Sequence, residues 1–268
     1  MPDWNPARIE ILDGPRLFEA AAAHIEQAAQ SSVALRGRFA VAFSGGSTPA
    51  PLFDALVARA MPWEQTHVFQ VDERLAPTGT ADRNLTELRR RLLDCVPVSD
   101  RNIHPLAVDR EPAEAATQLH NDLQRCGGLL DLVHLGLGAD GHTASLVPGD
   151  PVCTVLDRSV ARTLPYQGLR RLTLTAPVLR QATHRLWLIT GSGKAAAFKQ
   201  LMDGADIPAT SVRCDGDAVF ADVAASAMTP WGAEDQHAER PPLPSATTSR
   251  SSTHDRASAC SRGRATPP

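Results

Sequence analysis

Short apolar runs alternate with longer helix-forming segments through most of this chain, and that alternation constrains its fold more than any other feature. Phe39-Ala40-Val41-Ala42-Phe43, Thr66-His67-Val68-Phe69-Gln70-Val71 and Leu130-Asp131-Leu132-Val133-His134-Leu135 read as buried strands bounded by turn residues. The pattern predicts strands at residues 8–12, 39–43, 66–71, 130–136, 170–175 and 184–190, with extended pieces near Ile103 and at 217–221. Helices are expected at residues 15–35, 49–60, 82–95, 112–126, 177–182 and 193–203, with a short one at the end. Strands alternating with helices imply an α/β fold: a doubly wound, mostly parallel sheet with helices on both faces, modified Rossmann-like, in a single domain. Such sheets bind ligands beyond the carboxyl ends of their strands, so the turns after residues 43, 71, 136 and 190 are where a site is expected.

From Thr229 onward Pro, Ser, Thr, Ala and Arg dominate, and Trp231 and Leu243 are the only large apolar side chains. Such a stretch buries too little surface to offset its ordering entropy. The expected organisation is therefore a domain over residues 1–228 and a disordered tail over residues 229–268. The formal net charge of −3 argues against a dedicated nucleic-acid surface. No apolar run approaches the length of a membrane span. The opening residues, Met1-Pro2-Asp3-Trp4-Asn5, lack the basic and apolar parts of a signal peptide, so a cytoplasmic protein is expected. Five scattered cysteines form no C-x-x-C pair, which favours neither a disulfide framework nor a zinc site. Neither metal nor cofactor is expected, and the assembly is expected to be a monomer or a weak homo-oligomer.

Four turns carry the chemistry. Ser44-Gly45-Gly46-Ser47-Thr48-Pro49 follows a strand and feeds a helix, which is the setting for an anion site built from backbone amides. Thr48 is expected to cap that helix and Pro49 to occupy its first position. Asp72-Glu73-Arg74 sets three charges directly after a buried strand, either as part of a site or as a solvated loop with an internal ion pair. Gly136, Gly138 and Gly141 spell G-x-G-x-x-G, but Pro148-Gly149-Asp150-Pro151 stops any helix too soon for dinucleotide binding. The same stretch presents Asp140 and His142 at a strand end, where His142 is a potential base and Asp140 either its partner or a turn residue. Finally, Thr190-Gly191-Ser192-Gly193-Lys194 is not a Walker A loop, since Leu188 stands at its first glycine position and Ala195 replaces its Ser or Thr. Lys194 still brings a positive charge beside oriented amides. The four turns together suggest metal-free acid–base chemistry on a small phosphorylated substrate.

These motifs, with Arg170-Arg171-Leu172-Thr173-Leu174-Thr175 and Ile207-Pro208-Ala209-Thr210, resemble the 6-phosphogluconolactonase family in order and spacing over residues 8–227. The resemblance implies hydrolysis of a phosphorylated sugar lactone, 6-phospho-D-glucono-1,5-lactone, in the oxidative pentose phosphate pathway. It implies His142 as the base that activates water, Asp140 as its positioning partner, and Asp72 as an organiser of the site. Gly45, Gly46, Ser47, Thr48 and Lys194 would bind the phosphate, and Arg74 would serve either the phosphate or the developing oxyanion. The related glucosamine-6-phosphate deaminases carry a glutamate five residues after the histidine, where this chain has Val147, and tend to have tyrosine at the position of Arg74. Both differences favour the lactonase. A non-catalytic sugar-phosphate sensor is the third reading, and it usually carries an additional DNA-binding domain.

Overall fold

Strand alternation decides how the core divides. In the computed structural model, which describes residues 4–46 and 48–232, seven strands form one parallel sheet. They are β1 (Arg8–Ile11), β2 (Phe39–Phe43), β3 (Thr66–Gln70), β5 (Ile103–His104), β6 (Leu132–Leu135), β9 (His184–Ile189) and β10 (Ala218–Ala221), in the order β1-β10-β9-β6-β2-β3-β5. Successive side chains of β2 point to opposite faces. Phe39, Val41 and Phe43 pack with Leu17, Ile25, Leu52, Phe53 and Leu56 of helices α1 (Pro15–Arg36) and α2 (Ala50–Val57). Ala40 and Ala42 face the other layer, where Leu119, Leu123, Leu179, Phe198 and Leu201 come from α4 (Pro112–Arg125), α5 (Ala176–Gln181) and α6 (Ala195–Asp203). The doubly wound parallel sheet expected from the alternation is present, and it forms a single domain with helices on both faces.

The strand order also fixes where a ligand can enter. From β2 the chain steps one way to β3 and β5, then crosses to β6 on the other side of β2 and continues to β9 and β10. The loops leaving β2 and β6 therefore diverge, and the crevice between them is the topological switch point at which such sheets bind ligands.

Four expectations need correction. Asp72-Glu73-Arg74 is not a turn. It is strand β4 (Asp72–Arg74) of a second, antiparallel sheet completed by β8 (Arg171–Leu174) and β7 (Val160–Arg162), in the order β4-β8-β7. The segment expected as a strand at 170–175 thus belongs to this small sheet, and β7 was not expected at all. A three-residue charged strand has no apolar signature, because its partners are supplied from far away in sequence. Thr48 does not cap α2: the helix starts at Ala50 with Pro49 in the cap position and no capping side chain. Lastly, the fold continues past residue 228, since Thr229 is buried and Trp231 stacks on Phe198 with ring centroids 6.4 Å apart. The remainder of the expected tail, residues 233–268, lies outside the described residues. No helix among the described residues is long and apolar enough to cross a membrane.

The small sheet is tied to the large one through Glu73. Its carboxylate is fully buried and accepts hydrogen bonds from the backbone N–H groups of Arg74 (2.7 Å), Asn84 (2.8 Å) and Leu85 (2.9 Å) and from Gln70 Nε2 (2.9 Å). Asn84 and Leu85 open helix α3 (Asn84–Arg91), so this distant acid satisfies amides that no local side chain caps. Arg83 Nε stands 3.1 Å from the same carboxylate, bringing opposite charge without a well-aligned hydrogen bond.

Candidate active site

A polar cleft opens at the switch point, lined by the loops after β2, β6 and β9 and by the small sheet. It brings together Gly45, Gly46, Thr48, Asp72, Arg74, His142 and Lys194 from the sequence-predicted set. Asp140 stands behind His142, and Ser47 lies outside the described residues. Expected as separate turns, these residues share one concavity.

Each wall has a local reason for its shape. Ser44 Oγ donates to the His134 carbonyl at 2.8 Å, fastening the loop after β2 to β6. A side chain at Gly45 would lie 2.2 Å from the Asn84 carboxamide, so only glycine lets the loop pass there. Asn84 Nδ2 in turn donates to the Asp72 carbonyl (3.0 Å) and carboxylate (3.2 Å), and Ser145 Oγ donates to the other Asp72 oxygen at 2.5 Å. Burial pushes the Asp72 carboxyl above the ordinary aspartate value, against the opposing pull of Ser145 and Arg171. Asp72 is thus a junction between the loop after β6, α3 and the small sheet.

The loop after β6 folds on itself to present the histidine. Gly138 N–H donates to the His142 carbonyl at 2.7 Å, and Gly141 N–H to the Gly138 carbonyl at 3.0 Å. A Cβ at Gly138 would lie 2.0 Å from the His142 ring. Gly138 therefore clears space for an imidazole, while Gly141 turns the chain at φ +85° against Ile207. His142 Nδ1 is 2.6 Å from Asp140 Oδ1, which also accepts the His142 backbone N–H at 3.2 Å. Partial burial would raise Asp140, but these bonds and one from Tyr166 outweigh it and hold the carboxyl below its usual value. An ionised Asp140 makes Nδ1 the protonated nitrogen and leaves the Nε2 lone pair for chemistry.

Sequence reasoning missed three contributors. Tyr166, the only tyrosine of the chain, donates from its hydroxyl to Asp140 Oδ2 at 3.1 Å and meets the His142 ring edge-on, centroids 5.4 Å apart. Arg171 pairs in register with Arg74 across β4 and β8, and its guanidinium lies 4.9 Å from the centre of the Tyr166 ring. Asn84 falls inside an expected helix and carries no signal of its own. The one available signal is the basic pair Arg170-Arg171 opening a strand. On the floor of the cleft His134 is fully buried, burial pushes it down to about 4, and neither ring nitrogen has a hydrogen-bond partner among the described residues.

The charges sort by sign. Arg74, Arg171 and Lys194 enter from two walls, while Asp72 is buried with its pKa raised and Asp140 is engaged by His142 and Tyr166. Fold and cleft together define an α/β protein with a cationic cleft at its topological switch point, beside an acid–histidine pair.

Comparison with known proteins narrows this class. The chain belongs to the family described as glucosamine-6-phosphate isomerases/6-phosphogluconolactonase, whose sequence model matches residues 13–220. It is similar to a 6-phosphogluconolactonase of Synechocystis sp., with 35% identity over 216 residues that cover 76% of this chain and 90% of the relative. Among solved structures it is similar to a 6-phosphogluconolactonase from Thermotoga maritima (TM-score 0.73, 24% identity, 80% of this chain and 98% of the other). A monomeric glucosamine-6-phosphate deaminase superposes almost as well, with a TM-score of 0.72 at 14% identity over 82% of this chain and 99% of the other. Both structural likenesses establish the fold, and the fold alone does not separate lactonase from deaminase.

Proposed function

We propose that this protein hydrolyses 6-phospho-D-glucono-1,5-lactone to 6-phospho-D-gluconate, the lactonase step of the oxidative pentose phosphate pathway. The observation that carries the reading is the 2.6 Å pair of Asp140 and His142 in the same cleft as three cations. The relatives' names point the same way. Buried Val147 supports it too, since the deaminases carry a glutamate at that position.

His142 Nε2 takes a proton from water as the oxygen attacks the lactone carbonyl carbon, and Asp140 stabilises the imidazolium that forms. The bond from that carbon to the ring oxygen then breaks. The departing alkoxide recovers the proton from His142, leaving the open-chain acid. Arg74 and Arg171 supply positive charge for the oxyanion and the phosphate, while Lys194 and the amides around Gly45, Gly46 and Thr48 hold the phosphate. One imidazole and one occupied carboxylate amid three cations suit an anion better than a metal ion. The four free thiols among the described residues are consistent with a reducing, cytoplasmic setting.

The decisive experiment supplies lactone generated in situ, subtracts spontaneous hydrolysis, and runs glucosamine 6-phosphate in parallel. Accelerated ring opening with no ammonia release is the expected result. Ammonia release would transfer the protein to the deaminases, and binding without turnover of either compound would make it a sensor.

A further inference from the structure

Away from the cleft, three side chains converge that the lactonase chemistry does not use. His67 on β3 and His104 on β5 share one face of the sheet edge: His104 lies opposite Phe69 in register, which makes it the diagonal neighbour of His67. Cys126, at the carboxyl end of α4, packs beneath them. His67 Nδ1 faces His104 Nε2 at 3.0 Å, and one nitrogen of each ring and the Cys126 sulfur lie within 4.8 Å of one another. His67 is half-buried, and the other two are buried. This cluster sits toward the amino-terminal end of β3, whereas the catalytic cleft lies beyond its carboxyl end.

The geometry points to a zinc-class metal site formed by His67 Nδ1, His104 Nε2 and Cys126 Sγ. Tetrahedral zinc, with bonds of about 2.0 Å to nitrogen and 2.3 Å to sulfur, sets its ligands about 3.3–3.6 Å apart. The observed separations reach that range with movements of about an ångström. A hydrogen bond between the two rings accounts for their approach, but not for the thiol beneath them or the carboxylate behind. That carboxylate is Asp122, whose Oδ1 is 3.7 Å from His104 Nδ1, on the side away from the proposed ion. A metal-bound histidine commonly directs its second nitrogen to such an acid, which fixes the tautomer and strengthens the ligand.

The surrounding charges select the kind of ion. Arg38, Arg101 and Arg125 all place positive charge near His67, and Arg125 also pairs with Asp122. A hard cation held by charge alone is disfavoured there. A thiophilic ion held by bonds to sulfur and imidazole nitrogen is not, because the thiolate offsets one of its charges and the soft donors supply affinity that does not depend on net charge. Binding displaces the thiol proton to solvent as the sulfur–metal bond forms. The ion would join β3, β5 and the end of α4. Bridging three elements that are distant in sequence would give it a structural role. No spacing motif announces the site, since His67 and His104 are 37 residues apart and meet only through strand pairing.

The test uses the full-length protein after chelator treatment, titrated with zinc(II) and with cobalt(II) as the spectroscopic probe. One equivalent of cobalt should produce a near-ultraviolet thiolate charge-transfer band, and zinc should displace it and raise Tm. Cys126→Ser should abolish the band, His67→Gln should weaken zinc at least about tenfold, and Asp122→Asn should weaken it about 10- to 100-fold. His142→Ala should leave the band intact. Zinc absorption fine structure on the wild type, expected to show one sulfur among nitrogen and oxygen neighbours, keeps the question open to refutation if the Cys126 variant fails to fold. Absence of a band and of any Tm shift in the wild type would overturn the site, as would a shell without sulfur or a band that survives Cys126→Ser.

Discussion

The large and small sheets are built on opposite terms. The seven parallel strands bury apolar side chains on both faces, and the charged residues at their edges are closed off locally. Arg185 Nε meets Asp217 at 2.5 Å, and that acid also takes Trp187 Nε1 at 2.9 Å and the Cys214 N–H at 3.0 Å. The three-stranded sheet instead buries Asp72, Glu73 and Arg171, and two of those three point their unsettled chemistry at the cleft. Burial raises both Asp72 and Asp217, yet Asp217 is locked by an arginine whereas Asp72 is held by neutral donors, Asn84 and Ser145. One sheet supplies stability, and the other supplies a positioned polar surface. Substitutions should separate along that line.

The largest effect is expected at the cleft. His142→Ala should lower lactone turnover about 10²- to 10⁴-fold, the usual contribution of a positioned base. Tm should barely move, and near wild-type rates in a folded variant would remove His142 from the chemistry. The large sheet should respond in the reverse sense. Arg185→Met leaves Asp217 buried without its cation, so unfolding in denaturant should show a loss of about 3–5 kcal/mol. The folded fraction should keep its kcat, and a fall in kcat matching that of His142→Ala would erase the distinction between the sheets.

Acid offers a third discriminator. His134 is fully buried on β6 with its folded-state value pushed from 6.5 down to about 4. It stays neutral when folded and takes a proton when unfolded, so its stability contribution is complete above about pH 6.5 and is lost as pH falls toward 4. At 1.36 kcal/mol per pH unit this amounts to about 3 kcal/mol. Denaturant titrations at pH 7 and 4.5 should show the loss, and His134→Leu should remove His134's share of it, leaving the part that comes from His24, which burial likewise pushes down to about 4. The smallest effect is expected for Tyr166→Phe, which removes one hydrogen bond to Asp140 worth about 1 kcal/mol. A several-fold drop in kcat at constant KM would mark Tyr166 as a positioning residue, whereas a rise in KM alone would assign it to substrate binding.

Legibility followed the distance over which each feature is specified. Phe39–Phe43, Leu132–Leu135 and His184–Ile189 were readable as buried strands, because parallel strands covered on both faces must be continuously apolar. The glycine turns were readable because two or three adjacent residues fix their backbone, and Asp140 and His142 stand two positions apart within one such turn. Strand β4 was not, since Asp72-Glu73-Arg74 looks like a solvent loop until Asn84, Leu85, Gln70 and Ser145 are known to surround it. Arg171 and Tyr166 share that obscurity, as does the cluster of His67, His104 and Cys126.

The sequence by itself therefore determined the doubly wound sheet, the strand ends at which its polar turns gather, and the turn that sets His142 beside Asp140. All of these rest on local periodicity and short-range backbone geometry. Only the tertiary structure decided that Asp72 is a buried junction, that Glu73 caps a helix, and that Tyr166 and Arg171 complete the site around Asp140. Those outcomes depend on burial and hydrogen bonding between segments tens of residues apart, and a residue's neighbours in sequence carry no record of them.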